Sequence, residues 1–146
     1  MNLINLKKIF ISSDHAGYKL KEAIKLYLSK NKLPFLDMGP HSDGRVDYPD
    51  FAHKVARQVK TNKNNVGILV CGSGMGMNIA ANRHKNIRAA QCFNLKSTKL
   101  SRLHNDANII TLGSRLLTKK IAINCVSAFL KTKFEGGRHL KRIKKI

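Results

Sequence analysis

The chain has 146 residues, 42% of them hydrophobic and 25% charged, with 28 Lys and Arg against 8 Asp and Glu for a formal charge of +20. That length suits one domain able to bury roughly 70% of its unfolded surface, and the composition excludes a disordered chain. No apolar run approaches the ~18 residues that cross a bilayer, and three cysteines without a C-x-x-C pair (Cys71, Cys92, Cys125) argue against a disulfide framework or a zinc knuckle.

The opening stretch MNLINLKKIF lacks the long apolar core and small-residue cleavage site of a secretory leader, so a cytoplasmic location is expected. KIFIS (8–12) is a β-type run. In SDHAGYKLKEAIKLYLSKN, Leu20, Ala23, Ile24, Tyr27 and Leu28 recur at helical spacing, with Asp14 or Ser13 as a candidate cap. LPFLDM (33–38) is a second strand candidate, and GPHSDGRVDYP (39–49) reads as a loop. PDFAHKVARQV (49–59) is helical, with Pro49 allowed in the first turn.

VGILVC (66–71) is a continuous apolar run, as expected for a strand covered on both faces. Met75 to Asn82 reads as helix, IRAAQC (87–92) as strand, LKSTKLSRLH (95–104) as helix and ANIITLG (107–113) as a fifth strand. Leu117 to Leu130 is a long helix carrying Cys125, a small buried hydrophobe. Cys92 ends a strand-like run and stays ambiguous. EGGRHLKRIKKI is a turn followed by a short basic helix. The expectation is one domain over residues 1–146 with a basic helical tail from about 135.

Five alternations of strand and helix predict an α/β protein with a parallel sheet and helices on both faces. In such sheets a ligand sits outside the carboxyl ends of the strands. Ser13-Asp14-His15, Cys71 to Gly76 and Gly113-Ser114-Arg115 should therefore gather on one rim.

The segment CGSGMG (71–76) is the most informative of these. Gly72, Gly74 and Gly76 allow a tight turn whose N–H groups converge, with a helix starting behind them, which makes an anion site. No Lys-Ser/Thr follows, so it is not a Walker loop. Met77 replaces the third glycine of a dinucleotide fingerprint. A thiol at the mouth of such a loop has its thiolate favoured by the helix dipole and the N–H groups, as a general base or nucleophile requires. The plain alternative is a buried cysteine at a strand end. His104 reads as a general acid or a helix-end histidine. Arg138 and Arg142, four apart, fall on one helix face and form either a phosphate fork or a solvated basic tail. HLKR is no metal signature, and the sequence shows no clustered ligands.

A +20 surface attracts anions: nucleic acid, acidic membrane or phosphorylated metabolites. The lysines are spread along the chain, and only HLKRIKKI (139–146) forms a basic cluster. The aromatic stacking motifs of single-strand binders are missing, so a nucleic-acid-binding module is the weaker, non-enzymatic reading.

Taken together, SDHAGYKLKEAI, RVDYPDFA, CGSGMGMNIAAN, IRAA, LSRLHNDANIITLGSR and EGGRH resemble the ribose-5-phosphate isomerase type B family and its relatives, the galactose-6-phosphate isomerase subunits. The resemblance runs from about Ile9 to Arg142. It implies a Rossmann-like, three-layer α/β/α sandwich on a five-stranded parallel sheet. It also implies a homodimer or dimer of dimers with active sites at subunit interfaces, a phosphorylated sugar as substrate and no metal or other cofactor. The implied reaction interconverts ribose 5-phosphate and ribulose 5-phosphate in the non-oxidative pentose phosphate branch. Galactose 6-phosphate and allose 6-phosphate are the alternative substrates. By resemblance, Cys71 is the base and Ser73, where many members carry Thr, a supporting hydroxyl. The backbone of Gly72, Gly74, Met75 and Gly76 holds the enediolate. His104 is the acid of ring opening, and Asn105 and Asp14 bind hydroxyls. His15, Arg115, Arg138 and Arg142 hold the phosphate or nearby oxygens, and Tyr48 lies near the site.

Overall fold

Residues 8–146 are described by a computed structural model; the start of the stretch read as lacking a leader lies outside them. The apolar runs become the strands β1 (Lys8–Ser13), β2 (Phe35–Asp37), β3 (Asn65–Cys71), β4 (Ala89–Gln91) and β5 (Ile109–Gly113). They form one sheet in the order β2-β1-β3-β5-β4, with every pair parallel. The helices are α1 (Tyr18–Lys30), α2 (Tyr48–Val59), α3 (Met75–Ala81), α4 (Leu95–Asn105), α5 (Lys119–Lys131) and α6 (Arg138–Ile143). Among the described residues, no helix is long and apolar enough to cross a membrane.

All seven residues of β3 are buried, because the strand is covered on both faces. The two-residue period of a strand sorts its side chains. Ile68 and Val70 join Ile11 and Ile110 under α1 and α5, in a core with Ile24, Leu28, Val126 and Phe129. Leu69 and Cys71 join Phe10 and Ile109 under α2 and α3, against Val55, Ala56, Met77 and Ala81. From β1 the chain runs outward to β2 over one face, and from β3 it runs the other way over the opposite face. The order therefore reverses between β1 and β3, and a crevice opens at their carboxyl ends.

The edge strands are shorter than their apolar stretches. β2 covers Phe35–Asp37 rather than 33–38, because Pro34 has no N–H to give the ladder. β4 covers Ala89–Gln91 rather than 87–92, and the Arg88 N–H goes instead to the Asn108 side chain at 2.8 Å. Neither Ser13 nor Asp14 caps α1. Its N-cap is Gly17, and Asp14 Oδ1 accepts the Gly17 N–H at 2.9 Å in the turn before. Only glycine fits at position 17, since a Cβ there would fall on the Val70 carbonyl oxygen. Cys92 and Cys125 are both buried small hydrophobes, and burial pushes both thiols up.

One buried charge was not legible in the sequence. Lys21, on the inner face of α1, is 0% exposed. Its Nζ lies 2.8 Å from Asp37 Oδ1 and donates to the Pro40 carbonyl at 2.5 Å, while Lys25 Nζ lies 2.7 Å from Asp37 Oδ2. Asp37 Oδ1 also accepts the Gly39 N–H, and the Gly39 carbonyl accepts from Ser12 Oγ and the Ser13 N–H. This chain of bonds ties α1 and the end of β1 to the loop that leads into Tyr48. Burial alone would raise the Asp37 carboxyl. The hydrogen bonds from Lys21, Lys25 and Gly39 and the Lys21 charge outweigh it and hold the carboxyl below the usual range. For Lys25, burial acts downward, and the bonds and charges of Asp37 and Glu22 outweigh it and raise the ammonium.

Removing one partner of a buried pair strands the other charge. Asp37→Asn should therefore cost about 3–5 kcal/mol in urea denaturation at pH 7. Because Asp37 is depressed in the folded state, its contribution is fully present above about pH 4 and is lost as pH falls through the folded value. Stability of the wild type should drop below about pH 4 more steeply than that of Asp37→Asn.

Candidate active site

The parallel register extends past the strand ends into the loops. Asp14 N donates to the Val70 carbonyl at 3.1 Å, Ser114 N to Cys71 O at 2.8 Å and Arg115 N to Gly72 O at 2.9 Å. Ser114 Oγ donates to Ala16 O at 2.9 Å. The loops after β1, β3 and β5 are thus stitched into one rim around a cleft of about 330 Å³. Asp14 and His15 enter it from β1, Cys71, Gly72, Ser73 and Gly76 from β3, Arg115 from β5, and Tyr48 from the first turn of α2.

Cys71 is the last residue of β3 and 4% exposed, yet it lines this cleft. The turn behind it is closed by Gly74, whose φ of +79° suits glycine, and the Gly74 N–H donates to Cys71 Sγ at 3.1 Å. Gln91 Nε2 holds the Ser73 carbonyl at 2.5 Å, and Ser73 Oγ accepts the Met75 N–H at 3.2 Å. Gly74 and Met75 belong to this turn without lining the cleft wall. The Arg115 guanidinium lies over Gly72, and the Tyr48 ring lies against Gly76. His15 Nδ1 sits 3.2 Å from the Val46 carbonyl and 3.3 Å from the Val46 N–H, so the loop before α2 fixes the imidazole.

The other four candidate residues stand elsewhere. His104 and Asn105 end α4, Arg138 and Arg142 lie on α6, and none of them lines the cleft of this chain. The α4 terminus is held firmly. Asp106 takes a left-handed conformation with φ of 45°. Its carboxylate is bound by Arg102 at 2.8 Å and Arg88 at 3.3 Å, and Arg88 Nε also reaches the Asn105 carbonyl at 3.0 Å.

Beside this terminus the imidazoles of His104 and His139 stack, with centroids 4.2 Å apart and planes at 12°. Glu135 Oε2 lies 3.8 Å from Nε2 of each. Burial first, then the charges of His104, Arg138 and Arg142, push the His139 imidazole down, and Glu135 only partly offsets them. Glu135 and His139 were missed as partners of His104. Their four-residue spacing was visible, but the approach of α6 to α4 was not.

The same trio corrects the expectation of no clustered ligands, since its ligand atoms lie within 4.8 Å of one another. Two imidazoles and a carboxylate are a set that zinc accepts. Here, however, the rings are nearly parallel, so their in-plane lone pairs do not converge on one point, and Arg138 Nε stands 3.5 Å from His139 Nε2. The geometry suits a charge contact better than a cation site.

Comparison with known proteins agrees with this architecture. The family described as Ribose/Galactose Isomerase matches residues 9–146. A ribose-5-phosphate isomerase B from Clostridium thermocellum superposes with a TM-score of 0.92 at 47% identity, covering 94% of this chain and 93% of that one. One from Mycoplasma genitalium, solved with bound ribulose-5-phosphate, gives a TM-score of 0.91 at 45% identity, with 94% and 92% covered. The ribose-5-phosphate isomerase B of Escherichia coli (strain K12) is 41% identical over 141 residues, 97% of this chain and 95% of its own. With the match running over nearly every residue and the sheet order and rim loops in place, this chain belongs to the ribose/galactose isomerase family.

Proposed function

We infer that the protein interconverts D-ribose 5-phosphate and D-ribulose 5-phosphate. The observation that carries the reading is a thiol seated at the wall of a polar cleft, with its sulfur against a backbone N–H of a glycine turn. The bound ribulose-5-phosphate of the Mycoplasma genitalium relative supports the same substrate.

The chemistry follows from the substrate. The C2 proton of an aldose is weakly acidic, so a base must stand close and the oxyanion that develops must meet fixed donors. Cys71, as thiolate, takes the C2 proton and returns it to C1, while a second proton passes from O2 to O1. The intermediate is a cis-enediolate, whose oxygens go to N–H groups of the Gly72–Gly76 turn, while the Gly74 and Met75 N–H groups, on Cys71 Sγ and Ser73 Oγ, order that turn. Asp14 and Asn105 accept from sugar hydroxyls, and Tyr48 closes one wall. His104 protonates the ring oxygen when the furanose opens. His15, Arg115, Arg138 and Arg142 hold the phosphate, which takes no part in bond making but anchors the reacting carbons against the sulfur. These roles need no metal or other cofactor.

The cleft and the His104 group lie apart in one chain, so this reading requires a second copy whose α4 and α6 reach the first copy's cleft. A homodimer, or a dimer of dimers, supplies it. Exposed Met75 and Ile79 on α3, Leu100 on α4 and Leu140 on α6 offer apolar surface for that contact. The +20 charge speeds capture of a dianionic sugar phosphate. The reaction is assigned to the cytoplasm.

Purified protein should convert ribose 5-phosphate, with a higher kcat/KM for it than for galactose or allose 6-phosphate. Cys71→Ala should lower kcat by roughly 10²–10⁴-fold with the fold intact; turnover like the wild type rejects the base. A mixing assay tests the shared site. Inactive Cys71→Ala and His104→Ala chains, unfolded and refolded together, should regain activity, because a mixed pair holds one site with both groups intact. No recovery in verified mixed dimers would place both groups in the same chain's site.

A further inference from the structure

We propose that Glu135 is the positioning carboxylate of the His104 acid, and that the stacked His139 is the wall that fixes the imidazole plane. The inference rests on the isomerase reading above and extends it to two residues that reading leaves unused.

Acidic side chains are scarce here, 8 against 28 basic ones, yet Glu135 faces two histidines. Its Oε2 is 3.8 Å from both Nε2 atoms, and a backbone bond from Glu135 N to the Leu103 carbonyl at 3.1 Å sets the turn beneath the last turn of α4. Glu135 is 54% exposed, so its side chain has room to close on His104; catalytic contacts commonly tighten when substrate binds. His139 is 5% exposed and stacked on His104, so the ring cannot tilt toward or away from it freely. Burial and the neighbouring positive charges push the His139 imidazole down, which disfavours a second cation against the acid. The charged groups around the pair are Glu135 from the turn, Arg138 and Arg142 from α6, and the Arg88–Asp106–Arg102 cluster at the α4 terminus.

The proton inventory gives Glu135 a definite task. A carboxylate at Nε2 accepts the Nε2–H and turns Nδ1 toward the sugar. When His104 is an imidazolium, Nδ1 gives its proton to the ring oxygen as the C1–O bond breaks, the anomeric hydroxyl releases its own proton to solvent as C1 becomes the aldehyde, and the neutral ring keeps Nε2–H on Glu135. Without the carboxylate the ring loses the partner that holds Nε2–H and is free to turn Nδ1 away from the sugar.

Ring opening can be separated from carbon chemistry, because ribulose 5-phosphate has no hydroxyl free to close a five-membered ring and stays open-chain. Exchange of its C1 proton with solvent deuterium needs the thiol base alone. In Glu135→Gln, turnover of ribose 5-phosphate should fall about tenfold. C1 exchange of ribulose 5-phosphate should stay within about twofold. Glu135→Asp should recover part of the lost turnover. Equal loss of both activities, or turnover like the wild type, overturns the proposal. A wild type inactive in both assays overturns the isomerase reading, and the proposal falls with it.

Discussion

Strand β3 runs between β1 and β5, parallel to both, and its carboxyl end carries Cys71. That pairing places the loops after all three strands at one height, where the backbone bonds from Asp14, Ser114 and Arg115 lock them together. Apart from Tyr48, which comes from α2, the side chains of the cleft are hung from this rim. The burial that holds β3 in place also hides most of the thiol, so that one wall of Cys71 is core and the other is cleft.

The two groups of candidate residues differ in kind. The β3 turn presents neutral backbone donors, of which the Gly74 and Met75 N–H groups go to Cys71 Sγ and Ser73 Oγ. The α4–α6 group sets two stacked imidazoles against the Glu135 carboxylate, with Arg138 and Arg142 on the same helix as His139. The two groups do not share one cleft within a single chain. Lys21 and Asp37 contribute at a distance, by holding the loop that brings Val46 to His15 and Tyr48 to Gly76.

Much of this was legible in the sequence, for identifiable reasons. The 66–71 run could only be a doubly covered strand, and the alternation around it dictated a parallel sheet with its ligand at the carboxyl rim. Asp14, His15, Cys71 and Arg115 follow from that rule and do share one cleft. Tyr48 came only from the resemblance, since nothing in DYP says that a helix will begin there beside Gly76. Lys21 was hidden because a lysine at a helical position reads as solvated, and its partner lies sixteen residues away across a loop. The His104–Glu135–His139 contact was hidden for the same reason: it depends on how the last helix packs, which periodicity does not encode.

A crystal structure of the protein with an enediolate-mimicking sugar-phosphate analogue tests the central claim most directly. The account predicts Cys71 Sγ about 3–3.5 Å from the atoms standing for C1 and C2. It also predicts analogue oxygens on the N–H groups of the glycine turn, and the phosphate gripped by arginines from two copies of the chain. An analogue bound with the sulfur turned into the core, or held by one chain alone, would contradict it.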